Sequence, residues 1–499
     1  MIKCWQSMAE YHHFLTEMKV HFDPSERARL HSELWVPWQK LRSFDTDAAM
    51  QFLEPRYSST GRPALNQPQI LRSFILYSLL VALGLIPLSL SLWINRLKSD
   101  RVLAALIGCT TRSLPPLGSY YDFIDRLWDA PDSDIYGRNK LLPASWHSTK
   151  PQKPNGRKQK AQERRPKITE KIGKRLMNHR DIPFNYEASL QKFFYQVAVL
   201  PSLRCGVIPA KDLTVSGDGT AVHTHANPAG HRQRDCSAMS PDEIRSAPRH
   251  YADPDATWGY DSDMEKCYYG YTLFHISCHN SNLHVDVPLL LRFTSAARHD
   301  SVSFLVAFNE MEKHLPLIKP KNICLDSAMD NYPTYYLLKD RKISAFIDLN
   351  SNCGRPKTIP DTITIDKNGT PICSAGLKMK PNGFDKAHSY MMWRCPYAEN
   401  HTCKCPQSCT DSKYGRVIKK RSDWGVRLYT DVPRGTDAYK KIYSQRTATE
   451  RINNRILNDY GLHQMKIHTK KHYSFFTTII GICLHLDARY KQINTASAA

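Results

Sequence analysis

The stretch KDLTVSGDGTAVHT, residues 211–224, sets one carboxylate, Asp218, between two glycines inside a β-prone run. Read as a strand, it opens a series of β-rich segments. CYYGYTLFHISCHN (267–280) and LHVDVPLLLRFTSA (283–296) are two apolar runs joined by a turn at Asn280–Asn282, the pattern of a hairpin. DSVSFLVAFNEMEKHL (300–315) has helical spacing, and NICLDSAMD (322–330) is a brief apolar strand ending at Asp326. YPTYYLLKDR (332–341) reads as a helix and ISAFIDLN (343–350) as a further strand. The order is β-β-β-α-β-α-β, which makes the fold α/β.

Outward from this unit the composition changes twice. Residues 1–145 read as an all-α region, with helical periodicity in MAEYHHFLTEMKVHF and YYDFIDRLWDA. Within it, FILYSLLVALGLIPLSLSLWI (74–94) carries no charge and is long enough to span a bilayer. Gly84 and Pro87 interrupt it, however, and Ser89 stands where an N-cap would begin a second helix. Two buried helices with a turn between them are therefore expected, and no membrane contact. Residues 146–176 are rich in Lys and Arg with almost no large apolar side chain, so a linker or tethered arm is expected. Lys158, Arg164 and Arg165 in that arm are candidates to neutralise phosphates without reading sequence. Residues 177–350 form the first part of the α/β core, 351–421 a Cys-rich insertion and 422–499 the final helices.

The whole chain of 499 residues carries 69 Lys+Arg against 47 Asp+Glu, a net charge of +22. A surplus of that size implies an anionic partner, nucleic acid before an acidic membrane surface. The opening MIKCWQSMAEYHHFL lacks a basic start followed by an apolar signal core, so export is not expected. The 14 cysteines then read as reduced thiols of a cytosolic chain, some of them holding metal.

Isolated acidic residues are usually solvated, but three differ. Asp218 lies in SGDGT, where glycines let the backbone approach something closely. Asp326 ends an apolar strand, and ligands of α/β sheets gather at the carboxyl ends of strands. Glu450 lies in YSQRTATERINNR (443–455), where Tyr443, Arg446 and Glu450 fall within roughly 60° of one another on a helix. Asn454 shares that face. Three converging carboxylates would repel one another strongly in a low dielectric. A pair of Mg²⁺ or Mn²⁺ ions would remove the penalty, and two metals about 4 Å apart suit phosphoryl transfer. Asp330, four residues beyond Asp326, competes for the second ligand role, with helix capping as its plainer explanation.

With these motifs in place the chain resembles the bacterial insertion-sequence transposases of the D-D-E type, in the group with a Y-R-E-K signature. Tyr443-x2-Arg446-x3-Glu450 is similar to that signature. SGDGT, YYGYTLF and CLDSAMDNYPTYYLL resemble the family's two Asp motifs and second strand, and GRPALNQPQILRSFILYSLL its helical N-terminal region. The resemblance runs from about residue 60 to residue 485. It implies an RNase H-like mixed sheet with flanking helices and a catalytic triad of Asp218, Asp326 and Glu450 holding Mg²⁺ or Mn²⁺. Arg446 and Tyr443 would contact a phosphate. The implied activity is cleavage of element ends and joining of the 3′-hydroxyl to target DNA. The implied partners are double-stranded DNA and a second copy of the chain, at the bacterial nucleoid. A metal-dependent endonuclease without strand transfer, or a non-catalytic DNA-binding derivative, are the alternatives. One departure stands out: Leu457 occupies the position of the family lysine.

Two further features stand apart from the triad. RCPYAENHTCKCPQSC (394–409) holds Cys395, Cys403, Cys405 and Cys409 with His401 between them, spaced C-x7-C-x-C-x3-C. Clustered thiols bind Zn²⁺ readily, and a small insertion poor in apolar residues needs such a staple. Cys373 could replace one of the four, and unligated or redox-active thiols are the alternatives. Trp258, in DPDATWGYDSDME, could stack on an unpaired base, although packing against the core is the more ordinary fate of a tryptophan. His223, His225 and His231 are expected at the surface or on phosphate.

Overall fold

The hairpin expected from the two apolar runs forms the spine of the sheet. In this computed structural model the first strand, β1, spans Thr214–His223, and β2 spans Thr257–Asp261; the hairpin strands are β3 (Lys266–Asn280) and β4 (Val285–Ser295). The chain then enters helix α2 (Asp300–His314), strand β5 (Asn322–Leu325), helix α3 (Tyr332–Asp340) and strand β6 (Ser344–Ile347). Apart from β2, which the sequence reading did not mark as a strand, these are the elements and the order read from the sequence. The structure describes residues 2, 4–129, 141–142, 167–182, 185–232, 240, 249–261, 264–350, 364–385, 387–388, 390–399, 402–403, 405, 409–421 and 425–498.

The six strands make one mixed sheet in the order β2-β3-β1-β5-β6, with β4 also pairing β3. β3 runs antiparallel to both β1 and β4, with Asp218 opposite His275 and Leu273 opposite Phe293. β1, β5 and β6 are parallel, in register from Thr214–Asn322 to Gly217–Leu325. Of the parallel strands, β5 is buried throughout, while β1 and β6 are buried in part. β3 is buried almost throughout, which explains its lack of clean alternation.

The N-terminal region contains eight α-helices between Met8 and Arg126 among the described residues. The uncharged segment resolves as expected. Helix α1 (Gln67–Ala82) is buried on nearly every face, the chain turns through Gly84 at φ +68°, and Ser89 caps the helix Leu90–Ser99. No described helix is long and apolar enough to cross a membrane. α1 finds its apolar surroundings in the chain's own last helix, α6 (Lys470–Ala498). The Phe74 ring meets Tyr120, Phe475 and Phe476 edge-on at 4.8–5.9 Å, and a single core runs from Tyr11 to Ala488.

Part of the expected linker is structured. Residues 143–166, with Lys158, Arg164 and Arg165, lie outside the described residues, but Ile168–Met177 is a helix. Ile168, Ile172 and Leu176 recur at helical spacing, and Leu176 is buried. Gly173 lets Pro333 at the start of α3 approach so closely that a Cβ there would lie 2.9 Å from the proline Cβ. The basic composition of this stretch masks a short apolar stripe. The insertion contributes a three-stranded antiparallel sheet, β7 (Lys380–Asp385), β8 (Tyr390–Arg394) and β9 (Val417–Arg421), around Met379, Met391 and Trp393.

Behind the sheet a charged cluster is sealed in the core. Arg292 of β4 bonds Glu310 of α2 at 2.8 Å, and Gln191 donates to the same carboxylate at 2.8 Å. Glu187, 2 % exposed, accepts the backbone N–H of Phe293 and the hydroxyl of Ser474. These bonds tie α2, β4 and α6 together. Truncating one partner of a buried ion pair leaves the other charge uncompensated. Arg292→Leu is therefore expected to destabilise the protein by about 3–5 kcal/mol, measured by denaturant unfolding; a change below 1 kcal/mol would show that the pair is not holding the core.

Candidate functional site

The parallel register between β1 and β5 brings the two aspartates together. Gly217 is opposite Leu325, so the next residues, Asp218 and Asp326, leave the paired ladder side by side. β1 continues to His223 along β3, while at Asp326 the chain turns into a 3-10 turn, Ser327–Met329, which the Asp326 carboxylate caps through Ala328 N. The SGDGT glycines serve close approach, as expected. A Cβ on Gly217 would lie 3.0 Å from Leu325 Cδ2, and one on Gly219 only 2.4 Å from Asp300 Oδ1.

That second contact exposes a residue the sequence reading did not select. Asp300 begins α2 directly after the hairpin, and its carboxyl reaches under Gly219. Burial, then the charges of Asp300 and Asp326, push the Asp218 carboxyl up to about 7, against the opposing pull of Arg446 and the Gly219 N–H. Burial and Asp326 likewise raise Asp300 to about 6, with His299 opposing. The only sequence signal for Asp300 was an acid at the first helical position, which helix-dipole chemistry already explains.

Asp218 is oriented from the other side by a second unforeseen pair. His275, its cross-strand neighbour, is fully buried, and burial lowers its imidazole to about 4. The neutral ring therefore donates from Nε2 to Asn453 Oδ1 at 2.8 Å, which turns the Asn453 amide toward Asp218 Oδ2 at 3.5 Å. Asn453 lies one turn beyond Glu450 on the same helix.

The Tyr443–Arg455 segment is less regular than its spacing implied. Helix α4 (Asp437–Tyr443) passes through a 3-10 turn, Ser444–Arg446, into α5 (Thr447–Asn454), followed by a π turn at Arg455–Asp459. Hydroxyls account for the break: Ser216 of β1 donates to Gln445 O at 3.2 Å and Thr447 to Ser444 O at 3.0 Å. Tyr443 consequently points back to the sheet and donates to Leu325 O at 3.3 Å. Arg446 donates to Glu450 at 2.6 Å. Burial works against the Arg446 charge, but Tyr443, Glu450 and Asp218 outweigh it. Arg446 thus lies between the two carboxylates, and the Glu450 side chain is 55 % exposed.

The π turn also accounts for Leu457. It is 7 % exposed within the main core, where an ammonium group would be buried. Its basic neighbours are committed elsewhere, Arg451 to both oxygens of Asp286 and Arg455 to Asp487. Asp330 is no free ligand either, nor the cap of α3, which is Asn331. It is 3 % exposed and gripped by Arg427 at 2.7–2.8 Å. Trp258 is 57 % exposed on β2, so the expectation of a packed ring is corrected: β2 is an edge strand, and among the described residues its outer face is left open to solvent. His223, His225 and His231 are at the surface, as expected.

Among the described residues no three His, Cys, Asp or Glu side chains are close enough to hold a metal ion. The donor chemistry at the aspartates nevertheless suits a hard cation. Among the described residues Asp218 Oδ2 has only the long Asn453 contact, and the Asp300 carboxylate accepts no hydrogen bond. The third ligand of the expected triad is the member out of place, because Arg446 holds it. In the insertion, Cys395 is buried and Cys405 and Cys409 are half-buried, while the Cys403 side chain and His401 lie outside the described residues. Compared with known proteins, the chain matches no protein-family model and no curated protein sequence.

Uncompensated burial of Asp218 and Asp300 has a thermodynamic signature. Their folded pKa values lie above the unfolded one, so the folded state holds these protons more tightly. Stability in chelator is expected to fall as pH rises from about 4 to about 7. Asp300→Asn is expected to melt higher than the parent protein at pH 8, on the order of 3 °C, with the gap closing below about pH 4. Equal melting curves across that range would contradict the electrostatic account of the pocket.

Proposed function

We propose that this chain is a DNA transposase of the D-D-E type, built on an RNase H-like core. The observation that carries this reading is the side-by-side placement of Asp218 and Asp326 by the parallel register of β1 and β5. The sheet supports it: three antiparallel strands, then two more strands parallel to the first, in the order that the RNase H-like fold takes. The helix carrying Glu450 packs against β1, β3 and β4, on the sheet that carries both aspartates. The net charge of +22 supplies the attraction for DNA.

In this reading Asp218 and Asp326, joined by Glu450, hold Mg²⁺ or Mn²⁺. When bound, the cations activate an attacking oxygen and stabilise the leaving oxygen. His275 and Asn453 hold Asp218 in its orientation. Arg446 exchanges its bond to Glu450 for a bidentate grip on a phosphate, which its planar fork suits, and Glu450 is thereby released toward the aspartates. Tyr443 steadies the end of β5 beside them. Water first attacks the phosphodiester at each element end and breaks its P–O3′ bond, leaving a free 3′-hydroxyl; that hydroxyl then attacks a target phosphodiester and displaces the target's own 3′-oxygen as a hydroxyl. Two copies of the chain hold the two ends at the nucleoid. If zinc staples the insertion, Cys395, Cys403, Cys405 and Cys409 are the residues that would hold it.

Asp218→Asn and Asp326→Asn are each expected to bind end DNA within about twofold of the parent protein. Both should lose Mg²⁺-dependent cleavage and joining by at least ~10³-fold, about 4 kcal/mol of barrier. Gel assays with intact and pre-cleaved ends measure the two steps separately. Undiminished cutting by either variant would refute the site; cutting without joining by the parent protein would reduce the activity to that of an endonuclease.

A further inference from the structure

A cavity of about 890 Å³ opens beyond the carboxyl ends of β5 and β6, lined by Ser327, Asp348, Lys367, Arg434, Lys440 and Tyr443, among others. It adjoins the acidic pair, since Ser327 follows Asp326, and Tyr443 lies one turn before Arg446. One wall comes from the core, one from α4 and the third from the insertion, through Ile365–Asn368.

The charge in this cavity is out of balance. Arg434 is 9 % exposed, and among the described residues its guanidinium donates to neutral acceptors alone: the carbonyls of Ile347 and Arg427 and the hydroxyls of Tyr335 and Tyr439. Its buried Nε has no hydrogen-bond partner among the described residues. Lys367 forms no ion pair among the described residues. Lys440 stands 3.6 Å from Asp437 with both side chains exposed, a contact of little weight. On the acidic side, Asp366 is taken by Lys378 at 2.9 Å, which leaves Asp348 against three cations. The insertion, whose segment Ile365–Asn368 lines the cavity, carries 13 Lys and Arg against five Asp and Glu over residues 351–421. Leu349, Ile365 and Leu428 add apolar surface between the charges, suited to sugar and base faces.

We propose that this cleft seats the phosphodiester backbone of the DNA strand next to the scissile phosphate, with the insertion as its outer wall. The assignment rests on the transposase reading and adds the path of the strand. Lys367 and Lys440 neutralise successive phosphates, and Arg434 gives the floor a fixed positive potential. The insertion is then part of the DNA-binding surface and not only a spacer between β6 and α4.

The test compares the full-length protein with a Lys367→Gln/Lys440→Gln double variant, binding an end-sequence duplex over a range of salt concentrations. Lys321→Gln serves as control, because Lys321 is exposed at the amino end of β5 and pairs with Asp212. Loss of two phosphate contacts is expected to make the slope of log K against log salt shallower by about 1.8 and to weaken binding about tenfold at low salt. The control should behave as the parent. In parallel, DNA should protect Lys367 and Lys440, but not Lys321, from an amine-reactive label read by mass spectrometry. An unchanged slope with equal labelling of all three lysines would overturn the assignment while leaving DNA binding intact. A parent protein without affinity for DNA would overturn the transposase reading as well.

Discussion

Four residue pairs of parallel ladder, Thr214–Asn322 to Gly217–Leu325, govern the site. Because side chains alternate along strands, shifting that register by one residue would send one of the two aspartates to the opposite face. The register is held from both sides. Gly217 leaves room only for Leu325, and β1 is pinned along its length to the hairpin strand β3. Everything chemical in the site hangs on this: Asp300 reaching under Gly219, His275 and Asn453 orienting Asp218, and Tyr443 closing on the last carbonyl of β5.

Around that ladder the protein accumulates negative charge and then balances it incompletely. Asp218, Asp300 and Asp326 act on one another with few hydrogen bonds among them, and the cation that acts on Asp218 is Arg446, which is bonded to Glu450. An arrangement of this kind costs stability in the resting chain and is suited to an external cation or phosphate that relieves it. By contrast, charges deeper in the core, Arg292 with Glu310 and Arg427 with Asp330, are closely paired and tie elements together. The molecule separates charges that hold the fold from charges left uncompensated at the candidate site.

Much of this was legible in the residues. The hairpin, both parallel strands and both helices between them follow from apolar runs and helical spacing, and the break at Gly84–Ser89 from turn and cap chemistry. What escaped depended on contacts between distant segments. The Ser216 hydroxyl on Gln445 interrupts the Tyr443–Glu450 helix, and a π turn swings Leu457 inward. Neither leaves a trace in local periodicity. Asp300 looked like an ordinary first-turn acid, and Asn453 like one polar residue among several. Trp258 was misjudged because burial is the common fate of tryptophan, and an edge strand with an uncovered face is a property of the finished sheet.

The central claim is that Asp218 and Asp326 share divalent cations once DNA displaces Arg446. Anomalous diffraction from crystals of the protein grown with Mn²⁺ and end DNA tests it most directly. The account predicts Mn²⁺ density within about 2.2 Å of oxygens from both aspartates, with Glu450 turned away from Arg446 and Arg446 on a phosphate. Density confined to other parts of the chain, with the Arg446–Glu450 bond intact beside bound DNA, would contradict it.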